Sequence, residues 1–428
     1  MVMLGFSERG GSDGAGSSSS GSGEVGGGFV IGSGIGEEGG CIIPGLPNDL
    51  ACLCLACLPL WQHSSLKAVC KAWNGVFSGK ALFEVRKRWE KCEEIMCLFR
   101  DDPSITQGEM FDPRSQLWSL LPPMPSEPFT YGLTNFECVS LGSSLLVIGG
   151  SLYDARSFPM DRPLPSSAVY RYDPINSRWD RLTDMRNPRG SFACGVYDDA
   201  VFVAGGGSRH AQFAAGGSRL NSVERYGLVD DRWSALENLQ NIRAGCVGFV
   251  LDDEFWVMGG YGGSRTIAGI LPVDEYYSDG EIMDLKTGSW RMLKPMWEEG
   301  ERRRLGKVAV VSSPKGEPDS VFMLDGSAIF RYDIMENRWI REAQLPGTVL
   351  AEASCRLVSL GGELYVIPGG PVLDFGDAKH TPKKKRGSIV FQVYNPKTRG
   401  WRFVMTRPLL AKSARHNISW GAVCTLRL

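Results

Sequence analysis

Four histidines, His63, His210, His380 and His416, are the only imidazoles in this 428-residue chain, so a histidine-ligated metal must be drawn from them. Cys52, Cys54 and Cys57 form the one tight cluster among twelve cysteines. A zinc site wants four thiolate or imidazole ligands at matched spacing, and no second pair lies near these three, so neither a metal nor a cofactor is expected. Cys194, Cys246 and Cys355 sit inside apolar runs and read as buried free thiols of a reducing compartment. No Gly-x-Ser-x-Gly, phosphate loop or His-Glu-x-x-His motif occurs, and Gly205–Gly207 lacks the helix start that would make it a phosphate cradle. The remaining chemistry is recognition. Arg189, Arg243 and Arg304 stand in matching contexts, NPRGSF, NIRAGC and RRRLGK, while two other repeats place Glu127 and Glu352 nearby. Guanidinium groups on one rim would fork onto a carboxylate or phosphate, so these three are candidate target-binding residues for an acidic or phosphorylated segment. The alternative is that each arginine pairs with a neighbouring repeat and only positions a loop.

What would carry such a rim is a repeat. Six times an apolar residue, usually aromatic, precedes a tryptophan by seven positions: Phe111/Trp118, Tyr172/Trp179, Tyr226/Trp233, Met283/Trp290, Tyr332/Trp339 and Tyr394/Trp401. Asp, Asn or Gly follows the first member, so each pair spans a hairpin turn. Upstream, β-rich runs end in small residues, typically a diglycine: LLVIGG to Gly150, VFVAGG to Gly206, FWVMGG to Gly260, VFMLDG to Gly326 and LYVIPGG to Gly370. A further apolar segment precedes each run, for example Phe192–Tyr197 and Gly245–Val250, which gives four strands per repeat. Repetition at this period marks a propeller or solenoid.

The diglycine, the Tyr and the Trp at fixed spacing resemble the kelch repeat, most specifically at Gly149–Gly150/Tyr172/Trp179 and Gly205–Gly206/Tyr226/Trp233. Met283 replaces the Tyr in one repeat and Asp325–Gly326 the diglycine in another. The resemblance implies a six-bladed β-propeller. Only Ile95–Arg100 and Gln107–Phe111 precede Trp118, so that repeat lacks an inner strand, and Asn417–Leu426 is a spare one. Pairing the two would close the ring and remove exposed edges. A copper radical oxidase is built on the same fold, with His, Tyr and Cys ligands near the axis. His210 and His380 lie in loops of different repeats and His416 precedes the closing strand, none within a family motif; whether they converge is left open by the sequence.

Long connections between the second and third strands are expected around Ser151–Ser167, Ser208–Ser222, Tyr261–Asp279 and Pro371–Gly387, with almost none after Gly326. In an antiparallel blade they share a face with the links between blades, and long loops on a rigid scaffold are where recognition usually sits. Lys383–Arg386 resembles a nuclear import signal, with a solvated loop as the alternative. The formal net charge of −1 gives no reason to expect nucleic acid or a membrane surface as partner, and no apolar stretch approaches a membrane span.

Residues 1–40 hold fifteen Gly and eight Ser and read as a disordered tail. From 41 to 90 the composition predicts two or three short helices: Pro47 and Asp49 open the first, with Leu50, Leu53, Cys54 and Cys57 at helical spacing. Pro59 breaks the run, and Ser64 or Ser65 is placed to cap a helix carrying Leu66, Val69, Cys70 and Trp73. So short a unit is expected to complete its core with a partner. The order Leu46-Pro47, Leu50, Leu53, Leu58-Pro59, Ser65-Leu66, Val69-Cys70-Lys71-x-Trp73 and Leu82-Phe83 resembles an F-box. With a propeller at 94–428 and a Gly/Ser tail, the arrangement is similar to the plant F-box/kelch-repeat family. That resemblance implies a non-catalytic substrate receptor of a Skp-cullin-F-box ubiquitin ligase, in cytoplasm or nucleus. Leu46, Pro47, Leu50, Leu53, Leu58, Leu66, Val69, Cys70 and Trp73 would bind the Skp-type adaptor, and the propeller an unknown protein target. The other classes are a ligand-binding or scaffolding propeller outside any ligase, and an oxidase.

Overall fold

The computed structural model describes residues 41–102, 107–125, 131–154, 164–207, 219–267, 271–312, 318–346, 355–369, 388–412 and 419–428. The Gly/Ser-rich tail, Lys383–Arg386, His210, His380, His416, Glu127 and Glu352 lie outside them. Six four-stranded antiparallel sheets form the body. Blade 1 is Trp420–Arg427, Glu94–Arg100, Glu109–Asp112 and Leu117–Leu120, from inside to outside. Blade 2 is Glu137–Leu141, Ser144–Ile148, Val169–Asp173 and Arg178–Arg181. Blade 3 is Ala193–Tyr197, Ala200–Ala204, Val223–Gly227 and Arg232–Leu236. Blade 4 is Val247–Leu251, Glu254–Met258, Gly280–Asp284 and Trp290–Leu293. Blade 5 is Lys307–Val311, Ser320–Asp325, Ala328–Asp333 and Arg338–Gln344. Blade 6 is Arg356–Leu360, Glu363–Ile367, Ile389–Asn395 and Gly400–Thr406.

The seven-residue spacing is a register. Phe111, Tyr172, Tyr226, Met283, Tyr332 and Tyr394 each lie directly opposite their Trp across the outer hairpin. In the five aromatic pairs the ring centroids are 4.9–5.2 Å apart, which adds ring-on-ring contact to cross-strand pairing. Several of these indoles also reach back one blade. Trp179, Trp233 and Trp290 donate Nε1–H to the carbonyls of Pro122, Thr183 and Glu237 at 2.8–3.0 Å. The core follows the same logic, because a blade flanked on both sides must be apolar on both faces. Six buried clusters each lie between neighbouring blades, and blade 6 packs on blade 1 through Val358, Tyr365 and Phe391 against Met96, Leu98, Phe111 and Trp420.

The last strand pairs with Glu94–Arg100 along its whole length, from Glu94 opposite Arg427 to Arg100 opposite Trp420. Connections build two small extra sheets. Tyr131–Thr134, from the link between blades 1 and 2, pairs with Ser151–Asp154, which pairs with Leu164–Pro165, both from the link between the second and third strands of blade 2. The hairpin Tyr261–Ile267/Leu271–Tyr276 lies between the second and third strands of blade 4. In blade 5 the same link is the turn Gly326–Ser327.

Four helices precede the propeller: α1 Asn48–Ala56, α2 Leu60–Leu66, α3 Lys71–Ser78 and α4 Lys80–Arg88. Two expectations are corrected here. Ser64 and Ser65 lie inside α2, and the residue that caps α3 is Cys70, whose Sγ accepts from Trp73 N–H at 3.4 Å. The unit also closes a core of its own, from Ile42, Ala51, Cys52, Leu55, Ala56, Val76, Phe77, Leu82 and Val85. Four helices rather than two or three supply the walls that a shorter unit lacks.

Candidate functional site

In α1 the apolar residues run almost all the way round, NDLACLCLA, and the fold selects Ala51, Cys52, Leu55 and Ala56 as the inward face. Leu50, Cys54 and Cys57 are left outside. Cys52 and Cys54 thus point apart, and among the described residues no group of His, Cys, Asp or Glu is arranged to hold a metal. His63 is a packing residue: it stacks on Phe77 at 4.6 Å, its Nε2 faces Leu58 O at 3.1 Å, and burial brings its pKa down to about 4. Leu46, Leu53, Leu58, Leu66 and Trp73 line the rim of the small core, half-buried. Pro47, Leu50, Val69 and Cys70 face solvent, Leu50 at 46% and Val69 at 59% exposure, and Trp61 is exposed too. These side chains lie outside a core that is already closed.

The helical unit is anchored to one face of the propeller. Arg86, almost fully buried, donates Nη1 to the carbonyls of Ala56 and Leu58 at 2.8 and 2.7 Å and lies 3.6 Å from Glu93. Glu93 accepts from Leu60 N–H and exchanges backbone hydrogen bonds with Leu428. Lys67 donates to Ile175 O, in the outer turn of blade 2. These contacts all fall on the face carrying the turns between first and second and between third and fourth strands. The long connections lie on the opposite face.

Arg189 and Arg243 do not line that opposite face. Both are fully buried, and each is a rivet between two blades. The carbonyl of Arg189 accepts from Gly150 N–H of blade 2 at 2.8 Å, while its guanidinium reaches Gly205 O, Ser222 O and Glu224 of blade 3. Arg243 repeats this one blade on: its carbonyl accepts from Gly206 N–H, and its guanidinium reaches Gly259 O, Glu281 and Asp279. The diglycine is required by this contact. Gly205 has φ of +67°, and a Cβ there would sit 2.3 Å from Arg243 O. Burial pushes Arg189 down from its usual range; at Arg243 burial acts the same way, but hydrogen bonds donated to Glu281 and Asp279 outweigh it and hold it up. The target-binding assignment of these two arginines is therefore corrected: they are fixed inside by carboxylates of the next blade.

The signal missed in the sequence is two residues before the residue that pairs with each repeat's Trp. Glu109, Glu224 and Glu281 occupy that position, and each also accepts a backbone N–H from the incoming connection, at Leu410, Arg186 and Gln240 respectively. Blade 5 has Phe330 there, and Arg302 lies over Phe330 at 4.6 Å and pairs with Asp325 of the same blade at 3.1 Å. Arg304 remains exposed and does not share the role of Arg189 and Arg243.

Charge that is not used inside gathers where the inner strands begin. Glu137 starts the inner strand of blade 2, Lys307 that of blade 5 and Arg356 that of blade 6. Burial pushes the Glu137 carboxyl up to about 7 against the pull of Lys307 and Arg356. Burial, Arg356 and Arg304 bring Lys307 down to about 8. For Glu137 the native state holds its proton more tightly than the unfolded chain between pH 4.5 and about 7. Its ionisation therefore costs stability increasingly as pH rises through that window, and fully above it. Glu137→Gln is expected to melt like the wild type near pH 4 and to be more stable by about 1–2 kcal/mol at pH 8, a value discounted for water in the channel. Calorimetric melting at both pH values checks this; an equal melting temperature at pH 8 would contradict it.

Comparison with known proteins agrees with this architecture. Residues 43–84 match the F-box domain family, and residues 132–186, 188–240 and 242–296 match the Kelch motif family. F-box/kelch-repeat protein OR23 of Arabidopsis thaliana is 42% identical over 412 residues, spanning 90% of this chain and 92% of that protein. F-box/kelch-repeat protein At1g16250 of the same plant is 28% identical over 378 residues, 86% of this chain and 93% of that one. F-box/kelch-repeat protein SKIP20, also from Arabidopsis thaliana, is 29% identical over 317 residues, 65% of this chain and 72% of that one. Among solved structures, YjhT aligns with a TM-score of 0.47 at 14% identity, over 70% of this chain and 91% of its own. Together with the six blades and the four-helix unit, the family matches and the similarity to OR23 show that this chain belongs to the plant F-box/kelch-repeat family.

Proposed function

We propose that this chain is the substrate-receptor subunit of a Skp-cullin-F-box ubiquitin ligase. The observation that carries the reading is the exposed apolar surface of a helical unit whose own core is already complete: Pro47, Leu50, Val69 and Cys70 outside, Ala51, Cys52 and Leu55 inside. Leu46, Leu53, Leu58, Leu66 and Trp73 support that surface from the rim and would join the contact with a Skp-type adaptor. The junction at Arg86, Glu93 and Lys67 supports the geometry a receptor needs, because it directs the adaptor to one face of the ring and leaves the long-connection face for a target. The receptor would supply proximity, with chemistry done by other subunits of the ligase.

Leu50→Glu with Val69→Glu tests the reading. Both side chains are exposed in the free chain, so the variant is expected to melt like the wild type. Co-purification with the adaptor is expected to fall at least tenfold, since two charges would have to be desolvated in an apolar contact. Undiminished adaptor binding by the folded variant would sink the proposal and favour a scaffolding propeller acting outside a ligase.

A further inference from the structure

We propose that the mouth of the axial channel, on the face away from the F-box, takes a carboxylate side chain of the target segment, held by Lys307, Arg356 and Arg304, with Glu137 opposite as a gate. The proposal rests on the receptor reading above and names the chemistry its target would present.

Register places these groups at one height. Opposite Arg100, Ile148, Ala204, Met258, Leu324 and Ile367, at or next to the ends of the second strands of blades 1 to 6, the inner strands carry Trp420, Glu137, Ala193, Val247, Lys307 and Arg356. Three are small or apolar and three are charged. Blade 2 lies across the ring from blade 5, so Glu137 and Lys307 stand on opposite walls, close enough for each to act on the other's charge. Arg304, in the connection leading to Lys307, adds a second cation on that side and repels it. Arg356 is fixed by donating Nε to Gly421 O at 3.0 Å, which leaves part of its fork uncommitted.

These cations differ from those held inside this protein. Arg86, Arg100, Arg189, Arg243 and Arg302 each have a carboxylate within 4 Å. Among the described residues Lys307 and Arg304 have none within ion-pair distance, and neither does Glu137 a cation. Lys307 and Arg304 are exposed, so water screens their mutual repulsion, and an arriving anion finds both cations without a carboxylate partner. The other groups facing the cluster are Asp101 from blade 1, which accepts from Ser419, and the thiols of Cys138, Cys194 and Cys355. Blades 3 and 4 contribute Ala193 and Val247, without charge. A single carboxylate arriving between Lys307, Arg304 and Arg356 finds cations on one wall and an apolar wall beside it. Its opponents are Asp101 and Glu137; Glu137 repels it when ionised and can donate a hydrogen bond to it when protonated.

Fluorescence anisotropy with a fluorescein-labelled oligoglutamate peptide, and an oligoglutamine peptide as control, tests this on the full chain. The wild type is expected to bind oligoglutamate only, roughly three- to fourfold more weakly at pH 7.5 than at pH 6, as Glu137 ionises. Lys307→Gln with Arg304→Gln is expected to lose at least tenfold at both pH values. Glu137→Gln is expected to bind at pH 7.5 about as well as the wild type at pH 6. Free glutamate that competes at equal concentration would assign the site to a small carboxylate instead of a peptide and overturn the proposal as stated. Unchanged binding in the Lys307/Arg304 variant, or no binding by the wild type, would also overturn it. Adaptor co-purification measured on the same proteins separates these outcomes: loss of peptide binding with the adaptor retained leaves the receptor reading standing.

Discussion

Deleting residues 419–428 is expected to leave a chain that aggregates, binds hydrophobic dyes and shows no cooperative melting transition. The segment is the inner strand of blade 1, and its side chains serve two cores at once. Trp420 is fully buried between blades 6 and 1, while Ala422, Cys424 and Leu426 are buried between blades 1 and 2. Trp420 also stacks on Trp118 with ring centroids 6.4 Å apart and lies under the Arg100 guanidinium at 4.2 Å. Removing these side chains forfeits about 2 kcal/mol for each large buried one, which with the lost ladder approaches a whole domain's stability of about 5–15 kcal/mol. The deletion also exposes the edge of Glu94–Arg100, which now pairs with the strand along its length, and the inner edges of blades 2 and 6 lose a neighbour. The same strand end carries Leu428, which exchanges hydrogen bonds with Glu93 at the F-box junction, so adaptor-side anchoring is expected to loosen as well. Circular dichroism melting and light scattering check the result. A soluble monomer with an unchanged transition would show that the ring does not depend on this closure.

The blade count was legible because it is written in covalent spacing. Tyr226 and Trp233 must be seven apart to lie opposite each other across their turn, and the other five pairs obey the same count. Chain ends were legible for a related reason: a missing inner strand before Trp118 and a spare one after Trp401 can be counted without knowing any side-chain contact. The inward face of α1 was not, because a helix made almost wholly of Leu, Ala and Cys has no polar side to set the phase, and only α4 and α3 decide that Ala51 and Leu55 go in. The destination of the arginines was ambiguous for another reason. An arginine just before an inner strand serves a surface rim or an inter-blade bridge equally well, and the deciding residue is a glutamate some 35 to 38 positions downstream: Glu224 for Arg189, Glu281 for Arg243. Blade 5, where Phe330 replaces that glutamate, is the blade in which the matching arginine stays outside and Arg302 lies over Phe330 instead. The unpaired cations at the channel mouth depend on six strands meeting at one height, which no local pattern records.

Arg243→Met is expected to destabilise the propeller by about 3–5 kcal/mol, because it leaves a buried charge without its partner. Glu281 is fully buried, and its carboxylate is held by the Arg243 Nε at 2.9 Å and by the backbone N–H groups of Gln240 and Asn241. With the guanidinium gone, those two N–H donors remain, but no cation does. Asp279 loses its partner too, although it is partly exposed and can turn to water. The cost should therefore concentrate in Glu281, and it should be recoverable. Adding Glu281→Gln removes the stranded charge while keeping an oxygen that can accept from Gln240 or Asn241, so the double variant is expected to regain a large part of the loss. Glu281→Gln alone should cost less than Arg243→Met, since a guanidinium facing a neutral amide keeps its bonds to Gly259 O and Asp279. On the scale of a domain this size, Arg243→Met corresponds to a fall in melting temperature of roughly 10 °C. A thermal melt of the three variants, with the coupling taken from the double-mutant cycle, is the measurement. Adaptor binding should survive in whatever fraction remains folded, because the F-box contacts are on the other face. A fall in target capture with no loss of stability would return Arg243 to the recognition surface and contradict its role as a bridge between blades.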